Sequence, residues 1–140
     1  MISVEVTGGK KQERELIDSL ANFCVKKLMP RKKNLDIEIF IRRNFETKTG
    51  LLGGVVDTQD TNTFEMEICH TMSLRKKLLT IAHEMVHVKQ FLRKELSLDG
   101  MHWKGEEMKK LDDPFEPPSE IEAYAREKVL FQKCVDLKLV

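Results

Sequence analysis

The sequence lacks long hydrophobic runs, a large excess of charge of either sign, and closely spaced cysteines. No apolar stretch approaches membrane-spanning length, and residues 1–9 lack the basic start and apolar run of a signal peptide. We therefore expect a cytoplasmic protein with no membrane partner. Twenty-four basic residues nearly cancel twenty-three acidic ones, so the net charge is only +1. This balance argues against a polycation that coats nucleic acid.

Cysteine is scarce, and its spacing is uninformative for metal binding. Cys24, Cys69 and Cys134 form no C-x-x-C pair, so the spacing indicates neither a disulfide framework nor a cysteine-based zinc knuckle. We interpret the three as reduced, mostly buried thiols. A chain of 140 residues, 41% of them hydrophobic, fits a single domain over residues 1–140.

The hydrophobic pattern predicts an α+β fold. Period-two alternation indicates strands and 3.6-residue periodicity indicates helices. Strands are predicted at about residues 2–6, 35–42, 51–57 and 63–69, and helices at about residues 11–29, 73–96 and 120–137. The turn-rich residues 57–62 suggest an antiparallel hairpin. Ser73 and Ser119 are the predicted caps of the last two helices. We expect a small, mainly antiparallel sheet packed on an N-terminal, a central and a C-terminal helix.

The central helix carries the pattern His83-Glu84-Met85-Val86-His87. Residues four apart project from the same face of an α-helix, so both imidazoles can bind one metal ion. Two such nitrogens bind zinc at about 2.0–2.1 Å. Zinc polarises a carbonyl and lowers the pKa of its bound water to about 7, and Glu84 would take up the water proton. These residues predict a zinc-dependent peptidase with one zinc per chain and Glu84 as general base.

A catalytic zinc usually takes a third protein ligand, and the residues offer more than one. Glu120 and Glu122 form one pair of candidates in the stretch that opens the last helix. His102 is the other candidate, in the stretch Asp99-Gly100-Met101-His102. His70 precedes the central helix and is better interpreted as a turn residue.

Three stretches of the chain carry a family resemblance: His83 to His87, Trp103-Lys104-Gly105 and Pro118 to Glu127. Together they resemble small SprT-like zinc metallopeptidases, especially short phage-type and minigluzincin-like ones. The resemblance covers about residues 63–134. In gluzincin-type enzymes the third ligand is a glutamate on a later helix, with a small residue three positions on and often Asp or Asn at the fourth. Glu120 and Ala123 match this pattern, whereas Tyr124 departs from it and leaves open which group orients the histidines.

Larger SprT and Spartan proteins instead use a third histidine, at about the distance from His87 to His102. They usually continue His-Gly-x-x-Phe, whereas this chain reads His102-Trp103-Lys104-Gly105, so Glu120 is favoured over His102 and Glu122. In families of this kind the strand equivalent to residues 63–69 lines the cleft and pairs with an extended substrate. Phe64, Met66 and Ile68 of that strand are expected to face the core.

Other functions are compatible with the same motif. The site could hydrolyse a different amide, or the chain could be a non-catalytic, zinc-stabilised binding module, although a structural site needs no general base such as Glu84. SprT-like relatives often act on DNA-bound proteins, and residues 31–33, 42–43 and 75–77 could form one basic face. Because no zinc finger or basic tail follows the motif, we favour a protein or peptide substrate that requires no nucleic acid.

Overall fold

The computed structural model describes residues 1–43, 53–58, 60, 62–108 and 117–140. Within them a four-stranded sheet, three helices and a small two-stranded ribbon form an α+β fold, as the sequence predicts. In chain order the elements are β1 (Ile2–Thr7), α1 (Lys11–Leu28), β2 (Leu35–Arg42), β3 (Gly53–Asp57), β4 (Thr63–Cys69), α2 (Leu74–Leu92), β5 (His102–Trp103), β6 (Glu106–Glu107) and α3 (Pro118–Asp136).

The sheet is mixed, which corrects the expectation of a mainly antiparallel one. Its strand order is β1-β2-β4-β3, with β1–β2 and β2–β4 parallel and only β3–β4 antiparallel. The predicted hairpin of β3 and β4 is confirmed, while its residues 51 and 52 lie outside the described residues. Helix α1 connects β1 to β2, and a helical crossover joins parallel strands. Alternation reveals which face is buried but not the strand direction.

The core lies between the sheet and helices α1 and α2. Alternate residues of β2 and β4 point into it, and Phe64, Met66 and Ile68 are buried as predicted. All three cysteines are free and buried, which confirms the burial expected for them. No helix among the described parts of the chain is both long and apolar enough to cross a bilayer.

Helix α2 begins where the sequence predicts and ends earlier. The Ser73 side chain accepts a hydrogen bond from the backbone N–H of Lys76, so the predicted cap is confirmed. The helix ends at Leu92 instead of near Leu96, and the following backbone turns back so that Leu96 bridges to Trp103 of the small ribbon.

The cap of α3 also differs from the prediction. Pro117 is the N-cap and Pro118 the first helical residue, because proline's fixed φ suits the first turn. Ser119 therefore lies inside the helix, where it is buried against α2, and it makes no capping hydrogen bond. Helix α3 packs mainly on α2 rather than on the sheet.

A glycine sets the distance between β3 and α2. A Cβ added to Gly53 would lie 2.6 Å from Cγ2 of Thr80, one turn of α2 before His83. Only a residue without a side chain lets the strand approach the helix this closely. Gly53 thereby brings the outer strand of the sheet alongside the residues of the central motif.

Candidate metal centre

Three side chains from two helices converge at one point. Helix α2 supplies His83 and His87, and the first turn of α3 supplies Glu120. One ligand atom from each lies within 4.8 Å of the other two, and this cluster can hold a metal ion. Nε2 of His83 is 3.0 Å from Oε2 of Glu120, and Nε2 of His87 is 2.8 Å from Oε1 of the same carboxylate.

The packing of α3 on α2 explains how Glu120 reaches the histidines. Ala123, three residues after Glu120, is fully buried, and its small side chain allows close approach of the two helices. The ring of Tyr124 packs edge-on against His83, with 4.7 Å between the ring centroids. Tyr124 therefore contacts one of the two histidines of the cluster.

The other candidate ligands are placed elsewhere. The side chain of His102 is 47% exposed in the small ribbon, where its Nδ1 lies 3.8 Å from Asp99. Glu122 faces Lys89 and Gln90 instead of the histidines. His70, in the turn before α2, donates its backbone N–H to Arg42. Within the described residues, only the grouping of His83, His87 and Glu120 has the geometry of a metal site.

Each histidine has a second hydrogen-bonding partner on the side away from Glu120. Nδ1 of His87 lies 2.8 Å from Oε1 of Gln90, and Nδ1 of His83 lies 3.4 Å from Oε1 of Glu127. Neither partner was predicted from the sequence. Gln90 follows His87 by three residues and Glu127 follows Glu120 by seven, and residues at these spacings share one helix face. These spacings could have identified Gln90 and Glu127 as residues on the same helix faces as His87 and Glu120.

The groups of the cluster change one another's pKa values. The pKa of each histidine is raised above its ordinary value. Burial alone would lower it, but the hydrogen bond to Glu120 and the nearby charge of Glu84 together have the larger effect. The same hydrogen bonds from His83 and His87 hold the pKa of Glu120 well below its usual range. Glu120 is therefore an ionised carboxylate shared between two imidazoles, which is the form that binds a cation.

Glu84 lies beside the cluster with only 7% of its surface exposed. Burial raises the pKa of its carboxyl group, while the charges of His87 and His83 partly oppose this change. A carboxylate with a raised pKa takes up a proton more readily at neutral pH than an exposed one does. Its placement therefore suits a proton acceptor.

A cleft of about 720 Å³ opens over these residues. Gly53, Gly54 and Val55 of β3 line it together with the motif residues of α2. The predicted cleft strand is therefore wrong: β4 is an interior strand paired on both sides, and β3 is the strand that borders the cleft. Sequence order misled here, because β4 immediately precedes α2 in the chain.

Comparison of the chain with protein families, with curated proteins and with solved structures finds no match.

Proposed function

We propose that this protein is a zinc-dependent endopeptidase of the SprT-like or minigluzincin-like type. The observation that carries the proposal is the convergence of His83, His87 and Glu120 at the floor of a cleft, with Glu84 beside them. The donor set is two imidazoles and one carboxylate, which matches catalytic zinc sites of the His₂Glu kind.

The spacing of the donor atoms is compatible with zinc. Ligands at about 2.0–2.1 Å in a tetrahedron are separated by about 3.3 Å. The oxygens of Glu120 lie 2.8 and 3.0 Å from the two histidine nitrogens, so small side-chain movements accommodate an ion. Three protein ligands leave one position for solvent or substrate, whereas structural sites usually have four protein ligands.

Each residue of the site has a separate role in the proposed amide hydrolysis. Zinc, when bound, polarises the scissile carbonyl and makes water a stronger nucleophile. The Glu84 carboxylate accepts a proton from the attacking water and then donates it to the nitrogen of the leaving amine. Glu120, His83 and His87 would hold the ion, and the buried positions of Glu84 and His87 limit competing solvent around the reacting groups.

Strand β3 borders the cleft, and this arrangement suits an extended peptide. Strand β3 is the outermost strand, and among the described residues no strand pairs with its outer edge. Backbone hydrogen bonds to such an edge bind a peptide with little dependence on its sequence. We therefore propose a protein or peptide substrate lying alongside Gly53, Gly54 and Val55.

Contacts within the proposed basic face favour this function over action on DNA-bound proteins. Lys77 is buried and paired with Glu13, Arg42 is paired with Glu67, and Arg75 lies over the ring of Phe131. These three cations are engaged within the protein, which reduces the continuous positive surface needed for phosphate contacts.

The decisive experiment replaces Glu84 by glutamine. The amide is nearly the same size but cannot accept the proton, so we expect full zinc content and a loss of peptide hydrolysis of about 10²–10⁴-fold. Zinc is measured by elemental analysis and hydrolysis with casein and a peptide library. Unchanged turnover in Glu84→Gln would exclude Glu84 as the base.

Two further measurements separate the alternatives. Wild-type protein that binds zinc tightly but cleaves no member of the panel would favour the binding-module interpretation. Cleavage that requires added DNA, with DNA affinity falling steeply as salt is raised, would favour a Spartan-like protease. We expect cleavage without DNA.

A further inference from the structure

Gln90 is a buried polar side chain in the last turn of α2, on the side of the helix that contacts α3. It is 0% exposed, although glutamine is a residue type usually found at the surface. A buried amide is costly unless its donors and acceptor are hydrogen-bonded. Here its oxygen and its nitrogen both have partners, one on α2 and two on α3.

The partners on α3 determine the orientation of the amide. Nε2 of Gln90 lies 3.0 Å from the backbone carbonyl oxygen of Ser119 and 2.8 Å from Oε1 of Glu122. A carbonyl oxygen and a carboxylate can only accept, so the NH₂ group must face them and donate one hydrogen to each. The remaining atom, Oε1, therefore faces His87.

This orientation decides which nitrogen of His87 carries a proton. Oε1 of Gln90 is an acceptor, so Nδ1 of His87, 2.8 Å away, must donate an N–H. In a neutral imidazole with its proton on Nδ1, the lone pair is on Nε2. Nε2 is the atom that faces Glu120 and the point where the cluster converges.

We infer that Gln90 is the positioning residue for His87: it holds the ring with Nδ1 protonated, so that Nε2 is available to the metal. This inference rests on the proposed function, because it concerns the same ion. It also gives Glu122 a role other than ligand, as the acceptor that fixes the Gln90 amide.

The carboxylate of Glu122 is itself held from two sides. Its Oε2 lies 2.7 Å from Nζ of Lys89, a lysine that is only 3% exposed, and 3.2 Å from Nε of Arg126. Lys89 also pairs with Glu95, 2.8 Å away. Two adjacent residues of α2, Lys89 and Gln90, thus both donate hydrogen bonds to the Glu122 carboxylate of α3. Through these partly buried contacts, the orientation of His87 depends on the docking of α3.

The test compares Gln90→Met with Gln132→Met in the full chain. Methionine approximates the shape of glutamine without its hydrogen bonds, and Gln132 is an exposed glutamine on the outer side of α3, which makes it a matched control. Zinc affinity is measured by competition with a chromophoric chelator. We expect Gln90→Met to bind zinc about 10–100-fold more weakly, as is typical when a partner of a metal-bound histidine is lost. Gln132→Met should match the wild type.

A spectroscopic readout distinguishes positioning from a general loss of stability. In the zinc-loaded wild type, NMR of ¹⁵N-histidine protein should show His87 with a proton on Nδ1 that exchanges slowly with water. In Gln90→Met that proton should exchange rapidly. A wild-type His87 with its proton on Nε2, or equal zinc affinity in both variants, would overturn the inference.

A double exchange provides the rescue. Gln90→Glu with Glu122→Gln keeps the net charge, restores an acceptor for His87 and a donor between the helices, and gives up only the hydrogen bond to the Ser119 carbonyl. We therefore expect zinc affinity clearly higher than that of Gln90→Met, and this variant also serves if Gln90→Met fails to fold. Affinity as weak as that of Gln90→Met would contradict the inference. Tight zinc binding without peptide cleavage would refute the proposed peptidase but not the role of Gln90, since neither readout uses turnover.

Discussion

Replacing Glu120 by alanine removes the one carboxylate that contacts both histidines of the motif. Its two oxygens lie 2.8 and 3.0 Å from His87 and His83, so the variant loses a whole ligand. Loss of a residue that only hydrogen-bonds to a metal ligand already weakens metal binding about 10–100-fold. Because Glu120 is itself a proposed ligand, about 100-fold is a lower estimate for Glu120→Ala. The matched control is His102→Ala, whose side chain is exposed and outside the cluster.

The loss of affinity converts into a loss of thermal stability. At a zinc concentration that saturates the wild type and remains well above the variant's dissociation constant, a 100-fold weaker affinity reduces the stabilisation by about 2.7 kcal/mol. With an unfolding entropy of about 2.1 cal/mol/K per residue over 140 residues, the midpoint should fall by about 9 °C.

Differential scanning calorimetry with zinc and with EDTA measures this effect directly. The zinc-dependent part of the midpoint should shrink in Glu120→Ala and stay unchanged in His102→Ala. The opposite pattern, with zinc stabilisation lost only in His102→Ala, would mean a three-histidine site and would refute the assignment of Glu120.

Two further predictions concern the scaffold around the site. The Lys77 side chain is 4% exposed and pairs at 2.8 Å with Glu13, which is 19% exposed, so Glu13→Gln replaces the anionic acceptor of a nearly buried lysine with a neutral one and should cost about 1–3 kcal/mol in urea unfolding, whereas Lys77→Met should cost less. The hydrogen bond from Lys77 lowers the pKa of Glu13. The contribution of this pair to the free energy of unfolding should therefore be complete above the ordinary glutamate pKa, about 4.3, and should be lost as the pH falls through the lowered pKa of Glu13. If the stability of Glu13→Gln depended on acid pH in the same way as that of the wild type, this reasoning would be contradicted. Gly53→Ala places a Cβ 2.6 Å from Thr80 and should destabilise by about 1–3 kcal/mol; an unchanged urea midpoint would show that β3 is free to move away from α2.

The sequence was most informative where periodicity and chemistry act together. Alternation along β2 predicts the burial of Leu35, Ile37 and Ile39, and the four-residue spacing of His83 and His87 places both on one face of α2. Glu120 was predicted from its place at the start of a helix and from a family pattern, and the structure brings it to the histidines. These features depend on local spacing, which a single sequence displays.

Features that depend on distant partners were missed. Lys77 and Lys89 are nearly fully buried, although lysine is expected at the surface, and each is buried because a carboxylate from another element pairs with it. The position of β4 inside the sheet follows from pairing with β2, more than twenty residues earlier in the chain. Propensity carries no information about such pairings.

A metal ion bound at the proposed centre would also affect how firmly the last helix is held. Only four of the nineteen residues of α3 are buried, against eleven of nineteen in α2, so fewer buried side chains keep α3 in place. Segments with few buried contacts open locally at lower free energy than the whole domain unfolds. An ion bound by His83 and His87 on one helix and Glu120 on the other would oppose that opening, and a chelator would permit it. Amide hydrogens of α3 would then exchange at a rate set by metal occupancy, while those of α2 and the central strands would follow global unfolding.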